Sequence, residues 1–215
     1  APSPRPSPPP PGPGLLFLHH GQGDRDTFLD EAVELAADGF VSLLVSAPEK
    51  RTGQREGEHP FDAAHDRTEV EQTVTDLRRG LDLLAGRAEV DPERLAFVGY
   101  SLGATMGARL LGVEPRLKAS VQVAGLPALT LALEHGQRRP ATSFHGLLEE
   151  PAARGAYLAA LAPLDGVRFL GRRAAAPLLL QFARSDDYVS PLDAALYEMA
   201  AGPPVEVSWH DGGHF

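Results

Sequence analysis

Five residues, Gly99-Tyr100-Ser101-Leu102-Gly103, leave this chain little freedom, because they stand between an apolar run that reads as a strand and a stretch that reads as a helix. A backbone that passes from strand to helix in so short a space must turn sharply and bring the two elements close together. Glycine at 99 and 103 meets that demand, and the residue at the apex is pushed out above the sheet edge. That residue is Ser101, so the turn presents a hydroxyl. Alone, the pentapeptide would be an ordinary glycine-rich turn with an incidental serine; the strand before it and the helix after it give it weight.

The rest of the chain repeats the alternation. Runs rich in Leu, Val and Phe at 15–19, 41–46, 94–99, 119–124, 177–183 and 205–210 read as strands buried on both faces. Helical spacing lies between them, at 27–37, from Asp66 to a stop at Gly86, at 102–111 and at 193–201. This order predicts an α/β fold with a mostly parallel central sheet and helices on both faces. Two stretches break the pattern. Residues 49–65 are polar and predict a long loop, while 126–176 holds helical patches interrupted by Pro140, Pro151 and Pro163 and predicts a small helical cap inserted over the site. Residues 1–14 carry eight prolines and read as an extended tail or linker, with a ligand for an SH3-type module as the sharper alternative. The domain is expected to occupy 15–215.

Length and composition narrow the classes. A chain of 215 residues suits one domain. No apolar run approaches the roughly 20 residues that span a bilayer, so no membrane span is predicted. The absence of cysteine excludes disulfides, thiolate metal sites and a cysteine nucleophile. A net charge of −9 opposes nucleic-acid binding. With no ligand cluster and no phosphate loop, neither metal nor cofactor is expected. A cytoplasmic location is expected, with secretion left open; oligomeric state is not legible.

A serine hydroxyl is a poor nucleophile near neutral pH unless a base takes its proton. His214 stands after the last strand, in His210-Asp211-Gly212-Gly213-His214-Phe215, where glycines permit a tight loop. His210 is the alternative, although it ends the strand. A metal pair of His210 and His214 would need a helix that Gly212-Gly213 opposes. The acid that orients the base should follow the preceding strand, where Asp186 and Asp187 stand side by side, and chemistry alone leaves both open. Backbone donors for an oxyanion are expected from Leu102 N–H and, in His20-Gly21-Gln22-Gly23, from Gln22 N–H.

Three segments, Phe17-Leu18-His19-His20-Gly21, the run from Val90 to Gly103 and Gly213-His214-Phe215, resemble the α/β-hydrolase superfamily, and within it the dienelactone-hydrolase-like and prolyl-oligopeptidase-like group of esterases and peptidases. The likeness runs from about Leu15 to the end and implies the α/β-hydrolase fold. Ala183-Arg184-Ser185-Asp186-Asp187-Tyr188-Val189 is similar to the Gly-x-x-Asp-x-x-Val pattern of that group, which aligns Asp186 as the acid. The group ordinarily has strands before the first one here and a helix after the histidine. That departure implies absent flanking elements or a piece of a longer chain, and leaves His214 on an end open to fraying. The implied activity is a serine hydrolase cleaving a small-molecule carboxylic ester through an acyl-enzyme. A peptidase or thioesterase with the same residues, and a non-catalytic binding protein of the same fold, are the alternatives. In 126–176, Phe144, Leu147, Leu148, Tyr157, Leu158 and Leu161 are expected mostly to pack the cap and otherwise to line a pocket, while His135, His145, Arg138 and Arg139 face solvent or an anionic substrate.

Overall fold

The structure, a computed structural model, describes residues 10–51 and 61–215. Its centre is one six-stranded parallel sheet built from β1 (Gly12–Leu18), β2 (Val41–Val45), β3 (Val90–Tyr100), β4 (Leu117–Val123), β5 (Leu178–Ala183) and β6 (Val205–His210), in the spatial order β2-β1-β3-β4-β5-β6. The chain leaves β1 for the edge through α1 (Leu29–Ala37), forms β2, then crosses back past β1 through α2 (Pro48–Arg51) and α3 (Ala63–Ala85) to β3. From β3 it proceeds one way, through α4 (Leu102–Leu111), then α5 (Leu129–His135), α6 (Arg139–Leu147), α7 (Pro151–Leu161) and α8 (Val167–Leu170), and last α9 (Pro191–Ala201). Right-handed crossovers place α1 on one face and α3, α4 and α9 on the other, and α3 with α4, α4 with α8 and α8 with α9 are packed neighbours. Because the direction of winding reverses between β1 and β3, the loops leaving these two strands diverge and open a crevice at their carboxyl ends.

The main core lies between the sheet and these helices. Leu16, Leu18, Leu95, Phe97 and Leu180 come from the strands, and Leu77, Leu81 and Leu84 from the buried stripe of α3. Covering one such side chain contributes roughly 1.5–3 kcal/mol. A second cluster, Leu133, Phe144, Tyr157 and Leu161, holds α5, α6 and α7 together, with Phe61 and Leu148 against it. These residues pack the inserted segment, whereas Leu147 is exposed.

Several boundaries differ from those the sequence suggests. The first strand begins at Gly12, so the end of the expected tail belongs to the sheet, pairing Gly12 with Val90 and Pro13 with Asp91 before a register shift. That shift lets the exposed residues Pro92, Glu93 and Arg94 bulge out while β3 continues on both sides. The helix expected over 27–37 is a 3-10 turn, Arg25–Phe28, followed by α1. The third helix starts at Ala63 instead of Asp66 because the Asp62 carboxylate accepts from the amides of Ala64 and His65 (3.0 and 3.1 Å). Pro140 and Pro151 begin helices instead of interrupting them, each standing in a first turn where no amide donor is needed. The expected loop over 49–65 contains the end of α2, the capping Asp62 and the start of α3; residues 52–60, and most of the proline-rich segment, lie outside the described residues. No helix among the described residues is long and apolar enough to cross a membrane.

Candidate active site

The turn between β3 and α4 is as close as its glycines require. A Cβ on Gly99 would stand 2.5 Å from the carbonyl carbon of Gly103, and one on Gly103 only 2.1 Å from the Leu18 carbonyl oxygen. Two hydrogen bonds staple the turn to the neighbouring strands, Ser101 N–H to the Val123 carbonyl (2.7 Å) and Gly103 N–H to the His19 carbonyl (3.0 Å). Ser101 itself has φ 53° and ψ −104°, a conformation that costs a residue with a Cβ on the order of 1–3 kcal/mol. Although it occupies the N-cap of α4, its hydroxyl makes no capping bond, the interaction that serine normally supplies there. The hydroxyl instead meets His214 Nε2 at 2.7 Å.

His214 Nδ1 lies 2.8 and 3.0 Å from the two carboxylate oxygens of Asp186. An ionised carboxylate can only accept, so Nδ1 carries the proton and Nε2 is left to accept from Ser101. The amides of Tyr188 and Val189 donate to Asp186 Oδ1 (2.7 and 2.9 Å). Burial pushes the Asp186 carboxyl up, but the bonds from His214, Val189 and Tyr188 together outweigh it and hold the group below the ordinary aspartate value. Both side chains are about 1% exposed. Thus three residues from the ends of β3, β5 and β6 meet in one hydrogen-bonded chain. Asp187, the alternative acid, points away to Arg139 (3.3 Å), and His210 stays at the exposed end of β6 near Ser208 and Gln181.

The histidine is anchored. Tyr188 stacks on its ring at 4.3 Å between centroids, Phe215 meets it edge-on, and the Tyr100 hydroxyl donates to its backbone carbonyl. Burial, then the Asp186 charge, raises the Tyr100 pKa, so the phenol keeps the proton it donates. This is firmer than the frayed end that the family resemblance implied.

On the other side of the crevice, the Leu102 amide opens α4 and has no acceptor among the described residues. Gln22 lies in the turn that Gly23 N–H closes onto the His20 carbonyl (2.9 Å), which does not use the amides of Gly21 and Gln22. His20 packs edge-on against Tyr100 and Phe215, and its buried Nδ1 has no hydrogen-bond partner among the described residues. Burial first, then repulsion from His19, His214 and Lys50, lowers its pKa, favouring a neutral ring beside the other imidazoles.

Sequence reasoning missed two supports. His19, almost fully buried, donates from Nδ1 to the His20 carbonyl (2.6 Å) and accepts at Nε2 from Ala47 N–H (3.0 Å), tying the loop after β1 to the one after β2. Arg138 and Arg139, expected to face solvent or substrate, grip the acid loop. Arg138 Nη1 donates to the Asp186 carbonyl, the Arg139 amide to the Asp187 carbonyl (2.9 Å), and the Arg139 guanidinium lies over the Tyr188 ring. His135 and His145 are exposed. A grouping that resembles metal ligands, His65, Asp66 and Glu69 in α3, is occupied internally, His65 with Glu69 (2.7 Å) and Asp66 with the Tyr157 hydroxyl (2.9 Å). A cavity of about 600 Å³ between α5 and α7 is lined by neither Ser101 nor His214.

Comparison with solved structures gives the same architecture. Acetyl xylan esterase from Paenibacillus sp. R4 superposes with a TM-score of 0.79 at 22% identity, covering 96% of this chain and 70% of that one. Acetyl xylan esterase 1 from Thermoanaerobacterium sp. JW/SL YS485 gives 0.73 at 18%, covering 98% and 72%, and Est1E from Butyrivibrio proteoclasticus 0.71 at 13%, covering 96% and 81%. At these identities the likeness establishes the α/β-hydrolase fold. No curated protein matches the chain significantly in sequence. The profile of the dienelactone hydrolase family, however, matches residues 3–157, from before β1 through the serine turn and into α7. With that profile over most of its length and the fold to match, the chain belongs to the dienelactone hydrolase family.

Proposed function

We propose that this protein hydrolyses carboxylic esters through a covalent acyl-enzyme, with Ser101 as nucleophile, His214 as general base and acid, and Asp186 as the residue that orients and stabilises the histidine. The observation that carries the reading is the 2.7 Å approach of Ser101 Oγ to His214 Nε2, made by a serine in a strained backbone conformation that forgoes its cap. As Oγ attacks the ester carbonyl, its proton passes to Nε2, and Asp186 stabilises the imidazolium without taking the proton. Negative charge develops on the carbonyl oxygen, where Leu102 N–H and Gln22 N–H are the proposed donors. A donor of that kind is worth about 2.7–4 kcal/mol in the transition state. Collapse expels the alkoxide, which takes the proton from Nε2 and leaves as the alcohol. Water then repeats the sequence against the acyl-serine, releasing the carboxylic acid and restoring the serine. No step needs a metal or redox group. The esterase names of the structural neighbours support the same reaction class, ester hydrolysis.

A fluorophosphonate should modify Ser101, identified by peptide mass spectrometry, and the protein should turn over p-nitrophenyl esters. Ser101→Ala should lower kcat by about 10⁴-fold or more. Unchanged hydrolysis by a folded Ser101→Ala would overturn the assignment.

A further inference from the structure

β6 is the last strand of the sheet, with β5 on one side and no strand on the other among the described residues. An unpaired edge offers its backbone to another strand unless something blocks it. Val205 to His210 pair with β5 without a bulge and contain no proline. The Arg184 amide donates to the His210 carbonyl (2.9 Å). Backbone groups alternate sides along a strand, so those of Glu206, Ser208 and His210 face β5 and those of Val205, Val207 and Trp209 point outward. Side chains sort by face in the same way. Val207 and Trp209 pack against the main core, Trp209 with Phe182 at 5.4 Å between ring centroids, and Glu206, Ser208 and His210 occupy the other face. Glu206 is exposed, and the His210 ring meets only Ser208 and Gln181, at 3.3 and 3.5 Å.

A second copy related by a twofold axis perpendicular to the sheet runs antiparallel and keeps each face on its own side. When the axis passes through Ser208, Val207 forms a hydrogen-bonded pair with Trp209 of the copy. Glu206 then stands directly opposite His210 of the copy in a non-hydrogen-bonded pair, where Cα atoms are about 4.5 Å apart and side chains interact. When the axis passes through Val207, Glu206 faces Ser208 and His210 faces Pro204, so only the first of these registers matches acid with imidazole. β2, the other edge, has no charged residue and offers no such match. α9 supplies a second surface. Leu192 and Met199, 77% and 75% exposed, stand seven residues apart on one stripe, roughly opposite Tyr197, whose hydroxyl reaches inward to the Ala104 carbonyl (2.9 Å). A helix that connects β5 to β6 lies over that pair, about 5 Å from an axis half a strand spacing beyond β6. The two copies of α9 therefore come to about 10 Å, a distance at which helices pack.

We propose that two copies of this chain pair antiparallel along β6 about Ser208, joining their sheets and bringing the two α9 stripes together. The interface is separate from the Ser101 crevice and does not depend on the activity proposed there. Sedimentation velocity over about 1–200 µM should show a reversible monomer–dimer equilibrium. Emission of Trp209, the sole tryptophan, should shift to the blue over the same range as its strand becomes paired. Glu206→Lys should weaken the dimer at least tenfold, and adding His210→Glu, which exchanges the two partners, should restore it to within threefold. Val207→Pro removes an outward amide, spares the groups that face β5, and should abolish the dimer. Should Val207→Pro not fold, Met199→Glu, at an exposed position, should weaken the dimer at least tenfold in a protein with unchanged circular dichroism. A chain that stays monomeric to about 200 µM, a dimer indifferent to Glu206→Lys, or a folded double variant that does not recover would each overturn the proposal.

Discussion

Tyr100 fills a position of the pentapeptide that the turn itself does not restrict, yet its hydroxyl reaches across to the backbone carbonyl of His214. It joins the turn that presents Ser101 to the loop that presents His214, the proposed base. Tyr100→Phe keeps the ring contacts with His20 and Phe215 and deletes only that bond. Stability should fall by ~1 kcal/mol. Ester turnover should fall about tenfold in kcat with little change in KM, because misplacement of a reacting group costs rate more than binding. Steady-state kinetics beside a denaturant titration check both. The meeting of Ser101, Asp186 and His214, the proposed catalytic residues, was anticipated from the chain order that the fold imposes, with chemistry leaving Asp186 and Asp187 open and the family resemblance choosing Asp186. Tyr100, His19 and Arg138 act on backbone carbonyls, and since every residue offers a carbonyl, no sequence pattern marks which one will be used.

At the level of elements, the six strands could be read because parallel strands buried on both faces are almost continuously apolar. Their ends were less legible, since those depend on caps and bulges. The last helix begins two residues early because Ser190 and Asp193 form a reciprocal cap with Pro191 in the first turn. The inserted segment reads as helices, but its function as a support does not. Residues at the start of α6 hold the acid loop through Arg138 and Arg139, a contact between parts of the chain 48 residues apart. Arg138→Met should loosen that loop without unfolding α6. Amide exchange at Tyr188 and Val189, whose N–H groups serve Asp186, should accelerate about tenfold, a loss of roughly 1.4 kcal/mol of local protection. Exchange in α3 should be unchanged.

For the molecule as a whole, two buried carboxyls tie stability to pH. Burial raises the Glu114 pKa, but its bonds with Arg116 and Arg78 outweigh this and leave it below the ordinary value, as is also the case for Asp186. The unfolded chain therefore binds more protons than the folded one through the acid range, and stability rises with pH there. Their contribution is complete above the unfolded carboxyl pKa of about 4 and is lost as pH falls through the lower folded values. Melting temperature should drop as pH falls from about 5 to 3. Glu114→Gln should melt lower at neutral pH and lose part of that slope.

The serine turn is stapled to β4 on one side and to the end of β1 on the other, and its partner His214 is 113 residues away in sequence. Contacts of such separation pay a large loop-closure entropy and are among the last that a chain acquires. A half-assembled sheet would hold a serine, but one without His214, its proposed base, and without the strained dihedral. Reactivity therefore serves as a clock for assembly. If Ser101 reacts as proposed, the first acceptance of a phosphonate during refolding should coincide with the arrival of the final strand and follow the collapse of the core, so that a chain arrested short of that stage should be compact, helical and chemically silent.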